Sequence, residues 1–206
     1  FEAQPPRMIP YTPIEIADEA RRCYEQGASV VHIHARDPIT GDATWSPEVY
    51  QQIKDEVQRR SPIIINFSTG GTGPMEERLG HIQKTRPEIA ACNMGSMNYA
   101  KYSDKKKAFV FDFVFQNPFK DIIAFLEVMR AAGSKPELEC FDAGHIGNIE
   151  PLLKMGMLHP PLQFSFILGV LGGIPPTTEN MAHMARMIPP GSTCEIIGIS
   201  HVQWRL

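Results

Sequence analysis

The feature that most constrains this chain is the regular alternation of short apolar runs with longer segments of helical periodicity. Six runs read as strands: Ala28 to His34, Pro62 to Phe67, Glu88 to Met94, Pro136 to Asp142, Pro161 to Leu168 and Thr193 to Ile199. Each is bounded by Gly, Pro or Asn, and helical segments lie between them, near Thr12 to Gln26, Pro47 to Arg60, Pro74 to Thr85, Pro118 to Ala132, Ile146 to Met155 and Thr178 to Met187. Several of these open on proline or on a Ser/Thr cap, as first turns prefer. Parallel strands need long crossovers, and helices supply them, so the pattern predicts an α/β fold with a parallel sheet. The run Ala108 to Phe115 also looks strand-like, but it lies close to the helix at Pro118 and is read as an elaboration of a βα loop.

Strand parity chooses between an open sheet and a closed barrel. Successive side chains alternate in direction, so Val30, His32, His34 and Arg36 share one face while Val31, Ile33 and Ala35 share the other. Polar groups also gather late on one face at Ile64, Asn66 and Ser68, at Ile89, Ala91 and Asn93, and at Glu137 and Glu139. Strand ends that ring one site behave this way, which predicts a TIM (β/α)8 barrel with its site at the carboxyl ends of the strands. Six strands leave such a barrel two short. The expectation is therefore a single barrel domain over residues 1–206 that lacks its first and last strands and is part of a longer protein.

Composition narrows the function classes. The 20 Lys+Arg against 23 Asp+Glu leave a net charge of −3, with no basic field for a nucleic acid. No run approaches ~18 apolar residues, and Phe1 to Pro13 has neither the charged nor the apolar region of an export signal, so no membrane association is expected. Four cysteines, scattered singly, suggest neither disulfides nor a thiolate zinc site and fit a reducing cytoplasm. The charge run Lys105 to Lys107 reads as a solvated loop. Trp45, Trp204, the methionines and the phenylalanines from Phe109 to Phe125 read as packing residues.

Three segments could carry chemistry. In Val31-His32-Ile33-His34-Ala35-Arg36-Asp37 two histidines at i and i+2 project the same way, about 6.5 to 7 Å apart at the backbone, so two imidazoles can converge on one ion. Zinc is the first candidate for N/O ligands, and a hydrogen-bonded histidine pair is the alternative. In Asn66-Phe67-Ser68-Thr69-Gly70-Gly71-Thr72-Gly73 a strand enters a glycine-rich loop whose amides and hydroxyls could hold a carboxylate or phosphate. The strand from Pro136 to Asp142 places Glu139 on the inward parity, where it could orient a ligand, bind substrate or move a proton. A salt bridge to Arg36 is its structural alternative. The loop Leu168 to Pro175 is either a second anion loop or an ordinary turn.

Taken together, His-Ile-His-Ala-Arg-Asp-Pro at 32 to 38, Asn-Phe-Ser-Thr-Gly-Gly at 66 to 71, Asn-Met-Gly-Ser-Met-Asn at 93 to 98, Pro-Glu-Leu-Glu-Cys-Phe-Asp at 136 to 142 and Gly-Val-Leu-Gly-Gly-Ile-Pro at 169 to 175 resemble the β-keto acid cleavage enzymes. The resemblance implies a zinc-dependent TIM barrel, often tetrameric, in which a β-keto acid and acetyl-CoA give acetoacetate and a new CoA ester by a retro-Claisen route. It implies that His32 and His34 are metal ligands, that Ser68 and Gly71 hold the substrate carboxylate and that Glu139 fills an acidic strand-end position, read here as catalytic, with Gly70 and Asn93 expected to bind substrate beside them. The family's Arg-Val-Gly-Leu-Glu-Asp segment, with its third zinc ligand, and the glutamate of its first strand have no counterpart here. A chain of these residues alone is expected to bind metal poorly and to be inactive or nearly so, and a substitute ligand from Glu139 or Asp142 is not the expectation. Two competing readings are an amidohydrolase-like hydrolase using His145 and His201, and a non-catalytic fragment with an assembly role.

Overall fold

The computed structural model describes residues 9–199, so His201 and Trp204 lie outside the described residues. The chain forms two compact units. One comprises the described residues up to Thr69 with Gly73–Ala90 and Val128–Lys135; the other comprises Gly70–Thr72, Ala91–Glu127 and the described residues from Pro136.

In the first unit α1 (Pro13–Glu25) starts on a capping box. The Thr12 hydroxyl accepts from the Glu15 amide at 3.3 Å, and Glu15 Oε2 accepts from the Thr12 amide at 3.0 Å, with Pro13 in the first turn. The parallel strands β1 (Val30–Ile33) and β2 (Ile64–Phe67) pair in the register Val30↔Ile64 to Ile33↔Phe67. Between them α2 (Pro47–Arg60), capped by Ser46, buries Tyr50, Ile53 and Val57 along one stripe. Tyr50 meets Phe67 edge to face at 4.8 Å. Next comes α3 (Met75–Thr85), whose last carbonyls accept from Lys54 Nζ at 2.6 Å (Thr85) and 2.9 Å (Arg86). The strand β3 (Ile89–Asn93) begins beside β2, with Asn66↔Ile89 and Phe67↔Ala90 in register.

The second unit takes up the end of β3 and carries the hairpin of β4 (Met97–Ser103) and β5 (Ala108–Phe115). Then follow α4 (Phe119–Ala132), β6 (Lys135–Cys140), α5 (Ala143–Gly147), α6 (Ile149–Lys154), β7 (Gln163–Leu168), α7 (Thr178–Met187) and β8 (Thr193–Gly198). Its parallel strands run β3-β6-β7-β8, with Glu137↔Gln163 and Gln163↔Thr193 in register. The fold class is therefore the expected one, the βα repeat of a TIM barrel, with six parallel strands among the described residues.

Three readings need correction. The run Ala108 to Phe115 is not a loop elaboration alone: it pairs antiparallel with β4, a strand that alternation of apolar residues did not reveal because Asn98, Lys101 and Tyr102 face solvent. The phenylalanines from Phe109 to Phe125 are not uniformly packing residues. Phe115 and Phe125 are buried, but Phe109, Phe111, Phe113 and Phe119 are exposed, because a two-stranded ribbon has no second layer to cover its faces. The helix expected from Ile146 to Met155 begins earlier, at Ala143, and breaks at Asn148 into α5 and α6.

The loop after β7 is a turn. The Gly173 amide donates to the Val170 carbonyl at 3.1 Å and the Ile174 amide to the Phe141 carbonyl at 2.8 Å, so neither amide faces a ligand. Gly172 is required there: its φ is +108°, and a Cβ would lie 1.9 Å from the Asn98 carbonyl oxygen. This contact seats the hairpin, and the Ala100 amide donates to the Leu171 carbonyl at 3.3 Å.

Candidate active site

In the first unit, the polar residues lie at and just beyond the carboxyl ends of β1 and β2. His32 stands on β1 and His34 follows it, and two-residue spacing brings their rings to one side, with centroids 5.0 Å apart. Their Nε2 atoms are 3.1 Å apart. Two imidazole nitrogens about 2.1 Å from one tetrahedral ion stand about 3.4 Å apart, so the pair fits a shared divalent cation with a small adjustment. It equally fits a single N–H···N hydrogen bond. The His34 pKa falls to about 4, because protein atoms crowd the ring and the charges of His32 and Arg36 lie beside it. A neutral imidazole is the form that ligates a metal. Arg36 reaches back into its own loop and donates to the Gly41 carbonyl at 2.7 Å.

Ser68 and Thr69, just past β2, are buried. The Ser68 amide donates to the Ile33 carbonyl at 3.1 Å, tying the ends of β1 and β2 together. The carbonyls of Ser68 and Thr69 are held from α3, by His81 Nε2 at 3.0 Å and by Arg78 Nε at 2.8 Å. This mooring was not legible in the sequence, although His81 and Arg78 sit three residues apart and so on one helix face. His81 is fully buried, stacked on Tyr50 and near Trp45, and burial lowers its pKa to about 4. Gly70 and Gly71 are half-buried and belong with the second unit.

The second unit brings together Asn93, Glu137 and Glu139. Asn93 ends β3 with its side chain buried, and among the described residues neither its Oδ1 nor its Nδ2 has a hydrogen-bond partner. A buried amide in that condition is costly unless something else satisfies it, which fits a ligand-binding position. Glu139 is buried next to the end of β6, and the Met94 amide donates to its carbonyl at 3.0 Å. Glu137 shares its face, is more deeply buried, and has a carboxylate oxygen within 4.8 Å of one on Glu139. Gln163 Nε2 donates to Glu137 at 3.3 Å. The sequence reading weighted Glu139 alone, although the i, i+2 parity marked both acids. The charge of Glu139, added to burial, raises the pKa of the half-buried Tyr99 phenol and of the Cys140 thiol.

Two candidates have other tasks. Asp142 caps α5, accepting from the Gly144 amide at 3.0 Å. His145 does not lie in a loop; it is buried on α5, where Nδ1 accepts from the Phe141 amide at 3.2 Å. Burial lowers its pKa against the opposing pull of Asp142. Its ring fills the space above Gly95, so it ties the turn after β6 to the turn after β3. The four cysteines are free thiols, and no helix among the described residues is long and apolar enough to cross a membrane.

The model of the beta-keto acid cleavage enzyme family matches residues 2–206. The chain is 35% identical over 199 residues to a 3,5-dioxohexanoate:acetyl-CoA acetone transferase of Paraburkholderia graminis, covering 88% of this chain and 64% of that protein. It is 34% identical over 199 residues to a 3-keto-5-aminohexanoate cleavage enzyme of Acetoanaerobium sticklandii, covering 95% of this chain and 68% of that protein. It thus spans about two thirds of the length of these curated relatives. Among solved structures, apo ObcA shares the fold, with a TM-score of 0.63 at 23% identity over 78% of this chain and 36% of ObcA.

Proposed function

The chain belongs to the beta-keto acid cleavage enzyme family, and from that premise we propose that it serves an acyltransferase that cleaves a β-keto acid with acetyl-CoA, giving acetoacetate and a CoA ester. The observation that carries the reading is the 3.1 Å approach of the His32 and His34 Nε2 atoms at the carboxyl end of β1. In this reading the two histidines hold zinc, which supplies Lewis acidity toward a keto oxygen. The names of both curated relatives support the substrate class, one being an acetyl-CoA transferase and the other a β-keto acid cleavage enzyme.

The chain's own residues do the positioning. Ser68 and the Gly70 and Gly71 amides hold the substrate carboxylate, with the Ser68 backbone steadied by His81 and the neighbouring Thr69 carbonyl by Arg78. Asn93 offers its buried amide to a substrate oxygen. Glu139, buried with the Glu137 carboxylate beside it, moves the proton. The enzyme works as a homotetramer in the cytoplasm, free of nucleic acid and membrane.

Zinc analysis and an acetyl-CoA-dependent acetoacetate assay, run on the full chain and on His32→Ala, test this. The variant is expected to lose both bound zinc and acetoacetate formation. Equal zinc and equal activity in the two proteins would defeat the assignment.

A further inference from the structure

The β4–β5 hairpin is built for a contact the fold itself does not make. Phe111, Phe113 and Phe115 lie on one face of β5, opposite Lys101, Tyr99 and Met97 of β4, and a register shift after Lys101 turns Phe109 and its partner Tyr102 to the other face. At the inner end Met97 and Phe115 are buried with Phe141, Ile167 and Val170. Outward from there the Tyr99 ring runs nearly parallel to Phe113 (5.4 Å, 21°) and to Phe111 (6.0 Å, 20°), and Phe111 stands open to solvent. Lys101 sits directly opposite Phe111 on that face, and Lys105, Lys106 and Lys107 form the tip, all exposed. Only Asp104 and Asp112 oppose these four cations on the hairpin. A chain of net charge −3 therefore gathers four of its 20 Lys+Arg here, at the end of an aromatic track.

The inner end of the track is Tyr99, which feels the charge of Glu139. From Tyr99 to Asp104 is five residues, about 17 Å at ~3.4 Å per residue, comparable with an extended pantetheine arm. We propose that this face of the hairpin docks the coenzyme A moiety of the acyl donor, with the pantetheine arm along Tyr99 and Phe113, the adenine against Phe111, and the phosphates at Lys101 and Lys105–Lys107. This rests on the acetyl-CoA reading above. Base–aromatic stacking suits an exposed, nearly flat ring surface, and phosphates match the lysine cluster. A second copy of the chain fits less well. The run Phe109–Phe115 reads the same in both directions about Asp112, so a two-fold pairing of β5 edges sets Asp112 against its own copy, and like charges directly opposite destabilise.

The test compares the full chain with a variant carrying Lys101→Gln, Lys105→Gln, Lys106→Gln and Lys107→Gln, and with Phe111→Ala. Calorimetric titration with CoA reads binding apart from chemistry. Four exposed charge contacts, each weak and acting together, predict about tenfold weaker CoA binding in the lysine variant. In turnover, the ratio of kcat/KM for acetyl-CoA to that for acetyl-pantetheine, which lacks the nucleotide and its phosphates, falls by the same factor. Phe111→Ala lowers the same ratio. Equal CoA affinity in all three proteins overturns the proposal, as does a change in assembly mass on Phe111→Ala without a change in CoA affinity, which makes the hairpin a subunit contact. CoA binding that weakens as expected, in a protein that forms no acetoacetate, supports the docking site and overturns the proposed reaction instead.

Discussion

The imidazole of His81 stacks on the ring of Tyr50 with centroids 3.9 Å apart and planes 24° from parallel, while its Nε2 holds the Ser68 carbonyl. A core histidine thus fixes the backbone of the loop that the proposed function assigns to substrate.

That stack makes stability pH-dependent. Burial holds the His81 pKa at about 4 instead of 6.5, so below pH 6.5 the unfolded chain binds a proton the folded chain refuses. Stability is full above about pH 6.5, falls as the pH drops toward 4, and levels off below. At pH 4.5 the loss from this residue is on the order of 2–3 kcal/mol. Urea denaturation at pH 7 and pH 4.5 measures it, and His81→Phe should shrink the difference between the two by roughly that amount.

Gly95 is predicted to tolerate no side chain. A Cβ there would stand 2.4 Å from Cδ2 of His145 and 2.7 Å from its Nε2, and the ring is wedged by the Phe141 amide. Gly95→Ala should cost about 1–3 kcal/mol in thermal or urea unfolding. Adding His145→Ala should recover part of that loss, and additive losses in the double variant would refute the steric account.

Asn93 should show a conflict between stability and activity. Its amide is buried with neither polar atom hydrogen-bonded among the described residues, so Asn93→Leu removes a desolvation cost. The variant is expected to melt at or above the wild-type temperature while KM for the β-keto acid rises about tenfold or more, as loss of one buried substrate hydrogen bond implies. A marked fall in melting temperature would mean that the amide serves the fold.

Glu139→Gln is predicted to lower kcat about a hundredfold or more, the usual contribution of a positioned proton carrier. An unchanged kcat in the variant would move the role elsewhere, with the neighbouring Glu137 the first residue to examine.

What the sequence determined by itself is whatever follows from local period and chirality. Strand and helix alternation, the common direction of His32 and His34, the caps at Thr12 and Ser46 and the shared parity of Glu137 and Glu139 depend only on neighbours a few residues away. All six parallel strands and the βα class were legible for that reason. Only the tertiary structure decided the rest, because it depends on partners distant in the chain. The β4–β5 ribbon required Met97 to find Phe115. Phe109 and Phe111 have the same apolar character as Phe125, and only the presence or absence of a covering layer separates exposed from buried. His145 looked available for chemistry until the fold set it against Gly95, and His81 looked unremarkable until the fold placed it on Tyr50. Direction along an element is a local property, whereas burial and pairing are set by whichever remote residue arrives to fill the space.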